Sequence, residues 1–197
     1  MGYDSISKAL SKIYDNIFLC YQKSMITVFY AIVLGTFILE GGGEAVRDTL
    51  LSSKDSAELY DSVTVDSHLH WQNELNEKNE VFFDILDGIF VNYGWREGTP
   101  QQSAAVAGGR KHGLYMGIDV LGRGTFGGGG WNTNVALDVL KRDDVSAAIF
   151  APGWVHEHEQ ETDFQTAQNK WWGSCEAVMR NSPKLPKTTT IRLLTFK

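Results

Sequence analysis

Hydrophobic and polar positions divide the chain into an early part without clear rhythm and a later part in which short apolar runs alternate with amphipathic ones. Residues 7–19 carry a weak helical period. Residues 33–39 form an apolar, β-rich run closed by Glu40 and three glycines from Gly41, which predicts a buried strand. Residues 44–60 are polar with apolar positions at Val46, Leu50 and Leu51, which predicts a helix. From Tyr60 onward the rhythm is regular. An apolar approach at 81–83 leads to a strand at 88–91. A second strand is predicted at 114–120, before a glycine-rich stretch at 122–130. A helix follows at 135–141, with Asn132 or Thr133 as its N-cap. The next strand, at 145–151, is broken by Pro152-Gly153, and a helix returns at 164–179. The tail from Asn181 has two prolines and no period, so it is expected to be loose.

Strands alternating with helices imply βα units and a parallel sheet. Each predicted strand runs into a polar or aromatic cluster: Asn92, Tyr93 and Trp95, then Asp119, then Trp154 and Glu157. In barrels and open α/β sheets, ligand-handling groups collect at the carboxyl ends of strands. These clusters are therefore the first candidates for a site.

Composition narrows the classes. A chain of 197 residues is long enough for one domain with a real core. With 18 basic and 24 acidic residues and no long basic run, it carries no electrostatic footprint for nucleic acid. Cys20 and Cys175 make neither a disulfide framework nor a metal spacing, and suit a reducing compartment. The uncharged run at 25–39 is shorter than the ~18–20 residues a bilayer requires. It also starts too late, and lacks the basic lead, for a signal peptide. It reads as a buried strand or core helix. Six Trp and seven Tyr suit stacking on sugar faces and suit ordinary cores equally.

Three short motifs carry candidate chemistry. Gly122-Arg123-Gly124-Thr125-Phe126-Gly127 fits the glycine spacing of a dinucleotide loop. Three further glycines with Trp131 and Asn132 separate it from any helix, and Asp143/Asp144 precede the next strand where an acidic partner should end it. A wide glycine-rich loop is the better reading. Asp66-Ser67-His68-Leu69-His70 resembles the DxHxH opening of metal-dependent amidohydrolases, because two His on one strand face could hold one ion. His112, His156 and His158 do not complete that ligand set. The His156-Glu157-His158 segment reads as a solvated loop. Among the glutamates, Glu157 is the foremost potential general acid, ahead of Glu74, Glu77 and Glu97.

Several contiguous stretches resemble the cytosolic endo-β-N-acetylglucosaminidases of glycoside hydrolase family 85, particularly the plant type. They include the run from Val33 to Glu40, Tyr60-Asp61-Ser62-Val63, Trp71-Gln72-Asn73-Glu74-Leu75-Asn76, and the run from Asp87 to Trp95. Further on come Tyr115-Met116-Gly117-Ile118-Asp119-Val120, the glycine loop with Trp131-Asn132-Thr133-Asn134, Ala148 to Trp154, and Gln168 to Gly173. The resemblance implies a (β/α)₈ barrel acting on the bond between the two core N-acetylglucosamines of N-glycans. It also implies a substrate-assisted mechanism, in which the sugar's own 2-acetamido oxygen attacks the anomeric carbon and forms an oxazoline. One protein carboxyl then suffices, as acid and then base. In the family that glutamate follows an asparagine by two residues, on a strand lying before the Tyr-Asp-Ser segment. Here residues 40–60 contain no such pair.

By the same resemblance, Tyr60 hydrogen-bonds the reacting acetamido group and Trp71 and Trp95 line the sugar channel. Asn92, Asp119, Trp154 and Glu157 face the same mouth. The expectation is an α/β chain that is a partial, incomplete (β/α)₈ barrel: an unassigned segment at 1–32, the barrel part at 33–180 and a loose tail at 181–197. Its partners would be N-glycans or free high-mannose oligosaccharides, in the cytosol, with no metal or cofactor, nucleic acid or membrane. The alternatives are a glycan-binding fragment without turnover and the metal-dependent hydrolase.

Overall fold

The computed structural model describes residues 58–158 apart from 63, 67 and 69, together with 163–180 and 191–193. The elements expected before residue 58, including the apolar run at 25–39, lie outside the described residues. Five strands form one parallel sheet in sequential order: β1 (Glu58–Tyr60), β2 (Gly88–Val91), β3 (Leu114–Asp119), β4 (Ser146–Phe150) and β5 (Ile191–Leu193). The helices are α1 (Glu80–Ile85), α2 (Thr99–Ala107), α3 (Thr133–Arg142), the single turn α4 (Trp154–Glu157) and α5 (Phe164–Arg180). Each crossover between described strands carries at least one helix, which is the βα alternation that the periodicity predicted. Among the described residues no helix is long and apolar enough to cross a membrane.

β2, β3 and β4 are largely buried on both faces, as parallel strands are when helices cover one of them. Ile89, Val91, Leu114, Met116, Ile118, Ala147 and Ile149 point into the main core. There they meet Ala136, Leu137 and Leu140 of α3 and Ala167, Trp171 and Cys175 of α5. The opposite face follows by the period of two. Tyr60 is in register with Phe90, Phe90 with Tyr115, and Tyr115 with Ser146. This second row carries the site.

Several elements depart from the sequence expectation. Residues 58–60, the end of the segment expected to be helical over 44–60, form β1, because the edge of β2 offers them backbone partners that no local pattern records. The apolar approach at 81–83 lies within the helix α1. α2 was not predicted. It opens after Gly98, which adopts a left-handed φ of 87°, carries Pro100 in its first turn and ends at Gly108. Its apolar positions are mostly alanines, too small to write a stripe into the sequence. The tail expected to be loose instead contributes β5, whose Ile191 to Leu193 pair with Ala147 to Ile149 of β4. A β-branched, threonine-rich run suits a strand, and the free edge of β4 offers it unpaired backbone groups.

Candidate functional site at the carboxyl ends of the strands

The carboxyl end of β1 supplies Tyr60, and the residue after β2 supplies Asn92. The Tyr60 hydroxyl donates to Asn92 Oδ1 in a short bond. Asn92 Nδ2 donates to Asn73 Oδ1 at 2.7 Å, and the same oxygen accepts the Gly94 amide at 3.1 Å. The Asn73 amide in turn donates to Asp61 Oδ2 at 2.8 Å. Residues far apart in sequence thus form one chain of hydrogen bonds at the sheet's rim. Gly94 is required for it, because a Cβ there would stand 2.3 Å from Asn73 Oδ1.

Burial sets the electrostatics. Asp61 is fully buried, and loss of solvation pushes its carboxyl up to about 7, against the pull of the Asn92 and Asn73 amides. Tyr60 is raised well above the ordinary phenol range, first by burial and then by the neighbouring charge of Asp61, with Tyr93 and Asp119 adding to it. Asp119 also lies at a strand end, and its carboxylate is committed. It accepts Arg123 Nε at 2.8 Å and the Leu121 and Arg123 amides at 3.2 Å each. It therefore holds the glycine loop and Arg123, whose guanidinium faces the rings of Tyr93 and Phe150. Arg123 lowers the Tyr60 phenol, opposing Asp119, so both belong to its surroundings.

Trp95 does not stand where the resemblance puts it. It is 1% exposed, stacks on Phe126 at 5.2 Å and donates its indole N–H to the Gly117 carbonyl at 2.7 Å. It packs the core beneath the rim and offers no face to a sugar here. The reason is the turn after Tyr93, which swings the indole under β3 where a backbone carbonyl satisfies its only polar atom.

Trp71 lies in the loop after β1 and is 53% exposed, free to present its ring. Trp154 and Glu157 sit on α4, just past β4. Trp154 is half-buried, edge-on to Trp131 and stacked on His158, while Glu157 is exposed. His156 and His158 are thus on or next to a helical turn, where a loop was expected. His68 and His70 are exposed and lie in the loop beyond β1, not on a strand as the DxHxH reading requires. Among the described residues no three His, Cys, Asp or Glu side chains gather as a metal site would need.

The glycine-rich stretch is a wide loop, with 3-10 turns at Phe126–Gly128 and Gly130–Asn132 ahead of α3. Gly129 shows why only glycine serves there: its φ is +68° and a Cβ would meet Asp119 O at 2.6 Å.

Sequence reasoning placed Tyr60 and Asn92 at one mouth, and the structure joins them directly. It passed over Asp61, Asn73 and Arg123. A charged residue immediately after Tyr60 was a usable signal for Asp61. Asn73 stands in the stretch from Trp71 to Asn76 that carries the resemblance, but no local pattern gives it a role.

Residues 44–195 match the model of glycosyl hydrolase family 85. Over 117 residues the chain is 66% identical to cytosolic endo-beta-N-acetylglucosaminidase 1 of Arabidopsis thaliana, covering 59% of this chain and 17% of that protein. It is 47% identical over 117 residues to cytosolic endo-beta-N-acetylglucosaminidase of Gallus gallus, covering 59% of this chain and 16% of that protein. The Homo sapiens protein of the same name is 44% identical over 120 residues, covering 61% of this chain and 16% of its own length. The matched stretch thus spans about a sixth of the length of these relatives.

Proposed function

The chain belongs to glycosyl hydrolase family 85, and from that premise we propose that it binds the core N-acetylglucosamines of N-glycans in the cytosol, without turning them over by itself. The activity class is the one its relatives' names carry, endo-β-N-acetylglucosaminidase. In this reading the five-strand parallel sheet is an arc of a (β/α)₈ barrel, and the rim at its carboxyl ends is the sugar-facing surface.

The observation that carries the reading is the joined pair Tyr60 and Asn92, seated on a buried Asp61 with Trp71 exposed beside their loop. A hydroxyl and a carboxamide fixed in one orientation can recognise an acetamido group, which offers one N–H donor and one carbonyl acceptor. An exposed indole can cover the apolar face of a sugar ring. Asp119 and Arg123 shape the rim, and Trp154 and Glu157 extend it past β4.

Hydrolysis needs more. The acetamido oxygen attacks the anomeric carbon and closes the oxazoline while a carboxylic acid delivers its proton to the leaving oxygen. That acid must stand within hydrogen-bond reach of the glycosidic oxygen. The family supplies it from an Asn-x-Glu pair with no counterpart between residues 40 and 60. Asp61 is buried beneath the rim and Asp119 is paired to Arg123, so neither takes that place.

The test is incubation of the purified chain with a high-mannose glycopeptide, read by mass spectrometry. The expected result is retention of the glycopeptide on immobilised chain with no peptide carrying a single N-acetylglucosamine. Appearance of that product above a Glu157→Gln control overturns the absence of turnover and makes Glu157 the acid. Failure to retain the glycopeptide overturns the binding reading.

A further inference from the structure

Asn73 lies in one of the stretches that carry the family resemblance but has no role assigned to it there, yet the rim is built around it. Among the described residues it is one of three non-glycine residues with a positive φ, at +58°. Asparagine is among the few residues that adopt this left-handed conformation readily. The conformation turns its amide toward the buried Asp61 carboxylate (2.8 Å) and its side-chain oxygen toward β2. That oxygen takes the Asn92 Nδ2 and the Gly94 amide.

An asparagine side chain has two orientations, related by a half-turn that exchanges its oxygen and nitrogen. Asn92 contacts Asn73 Oδ1 on one side and Tyr60 on the other. An acceptor at Asn73 forces the Asn92 nitrogen to that side and therefore the Asn92 oxygen toward the phenol. Tyr60 must then donate, and its proton is committed to Asn92. With its proton so engaged, the phenol oxygen keeps only its acceptor capacity.

We propose that Asn73 is a positioning residue which, anchored on Asp61, fixes the orientation of the Asn92 amide and so makes Tyr60 an acceptor for the N–H of a sugar's acetamido group. The ligand half of this rests on the glycan-binding reading above, and the orientation half stands on the hydrogen bonds alone. The consequence is selectivity: a 2-acetamido sugar offers the required N–H, whereas its 2-hydroxy analogue presents a shorter, differently placed donor. A site built around a polar partner rejects ligands that leave that partner unpaired.

Two substitutions separate the side chain from the backbone. Asn73→Gly keeps the left-handed turn at no steric cost and removes the acceptor. Asn73→Asp keeps an acceptor oxygen in the same place. The full chain, with tyrosine labelled by carbon-13 at Cζ, is followed by NMR at neutral pH. The Tyr60 Cζ resonance is expected to move in Asn73→Gly, as the freed Asn92 amide turns, and to return toward the wild-type position in Asn73→Asp. N,N′-diacetylchitobiose is then titrated calorimetrically. Its affinity is expected to fall about tenfold in Asn73→Gly, the size of one lost hydrogen bond in a desolvated site, and to recover in Asn73→Asp.

An unchanged resonance in Asn73→Gly overturns the proposal. A moved resonance with undiminished chitobiose affinity overturns its ligand half. A moved resonance in a chain that never binds chitobiose upholds the orientation half and removes the glycan-binding reading. Should Asn73→Gly fail to fold, the wild-type chain decides. A close nuclear Overhauser contact from the Asn92 Nδ2 protons to the Tyr60 ring, in place of one to the Asn73 side, means the amide is reversed and the proposal is wrong.

Discussion

Replacing Trp95 by phenylalanine separates a packing role from a sugar-lining one. The indole is 1% exposed, stacks on Phe126 with ring centres 5.2 Å apart and an interplanar angle of 15°, and donates to Gly117 O at 2.7 Å. Phenylalanine preserves the aromatic stacking, worth about 0.5–1.5 kcal/mol. It loses the N–H donor, which leaves a buried carbonyl short of its partner at a cost of about 1–3 kcal/mol. The smaller ring also leaves a void, adding roughly 1 kcal/mol by the usual cavity dependence. The two losses together come to about 2–4 kcal/mol, a large share of the ~5–15 kcal/mol by which domains are stable. For a chain of this length each kcal/mol moves the melting temperature by about 2–4 °C, so a fall of roughly 4–16 °C is expected. The assay is thermal unfolding followed by near-ultraviolet circular dichroism, paired with chitobiose titration well below the melt. The expected pattern is a lowered melt with affinity within about twofold of wild type, since the rim bonds are untouched. An unchanged melt together with lost affinity refutes the core assignment and restores Trp95 to the sugar channel.

Two further perturbations test the electrostatics. Asp61 holds its proton up to about pH 7 in the folded chain, against an ordinary value of 3.8. Between those values the folded chain carries a proton that the unfolded chain has released, so stability is greatest below the lower value and falls as pH rises toward 7. The full effect is up to about 4 kcal/mol. Asp61→Asn is expected to flatten this slope in denaturant titrations run across the window, and an unaltered slope counts against the buried carboxyl as its source. Cys175 is 3% exposed, and burial pushes its thiol up to about 11. Iodoacetamide at about pH 8 should therefore leave it unmodified in the folded chain and alkylate it after denaturation, read by peptide mass spectrometry, because only the thiolate reacts. Rapid modification of the native chain contradicts that burial.

Local pattern determined much of the scaffold. The runs at β2, β3 and β4 are apolar over the length of a strand and bounded by glycine, proline or polar residues. The amphipathic stretches at α3 and α5 repeat at helical spacing, and both signals are properties of neighbouring residues. Ordered segments written in the sequence also carried the resemblance to family 85. Elements without a strong local signal escaped: α2, whose alanines write no stripe, and the short strands β1 and β5, which take their order from the edges of β2 and β4.

The site divides along the same line. That Asn92 and Asp119 end their strands follows from strand positions, and those strand positions follow from sequence; Tyr60 ends a strand only because residues 58–60 pair with β2, where the sequence predicted a helix. The tertiary structure alone decided that Trp95 turns inward to Gly117, 22 residues away, and that Asn73 reaches back 12 residues to Asp61 and forward 19 to Asn92. Those contacts depend on how a loop closes over the sheet. Periodicity along a chain specifies which face a side chain takes, and it carries no information about which distant carbonyl or amide will stand opposite.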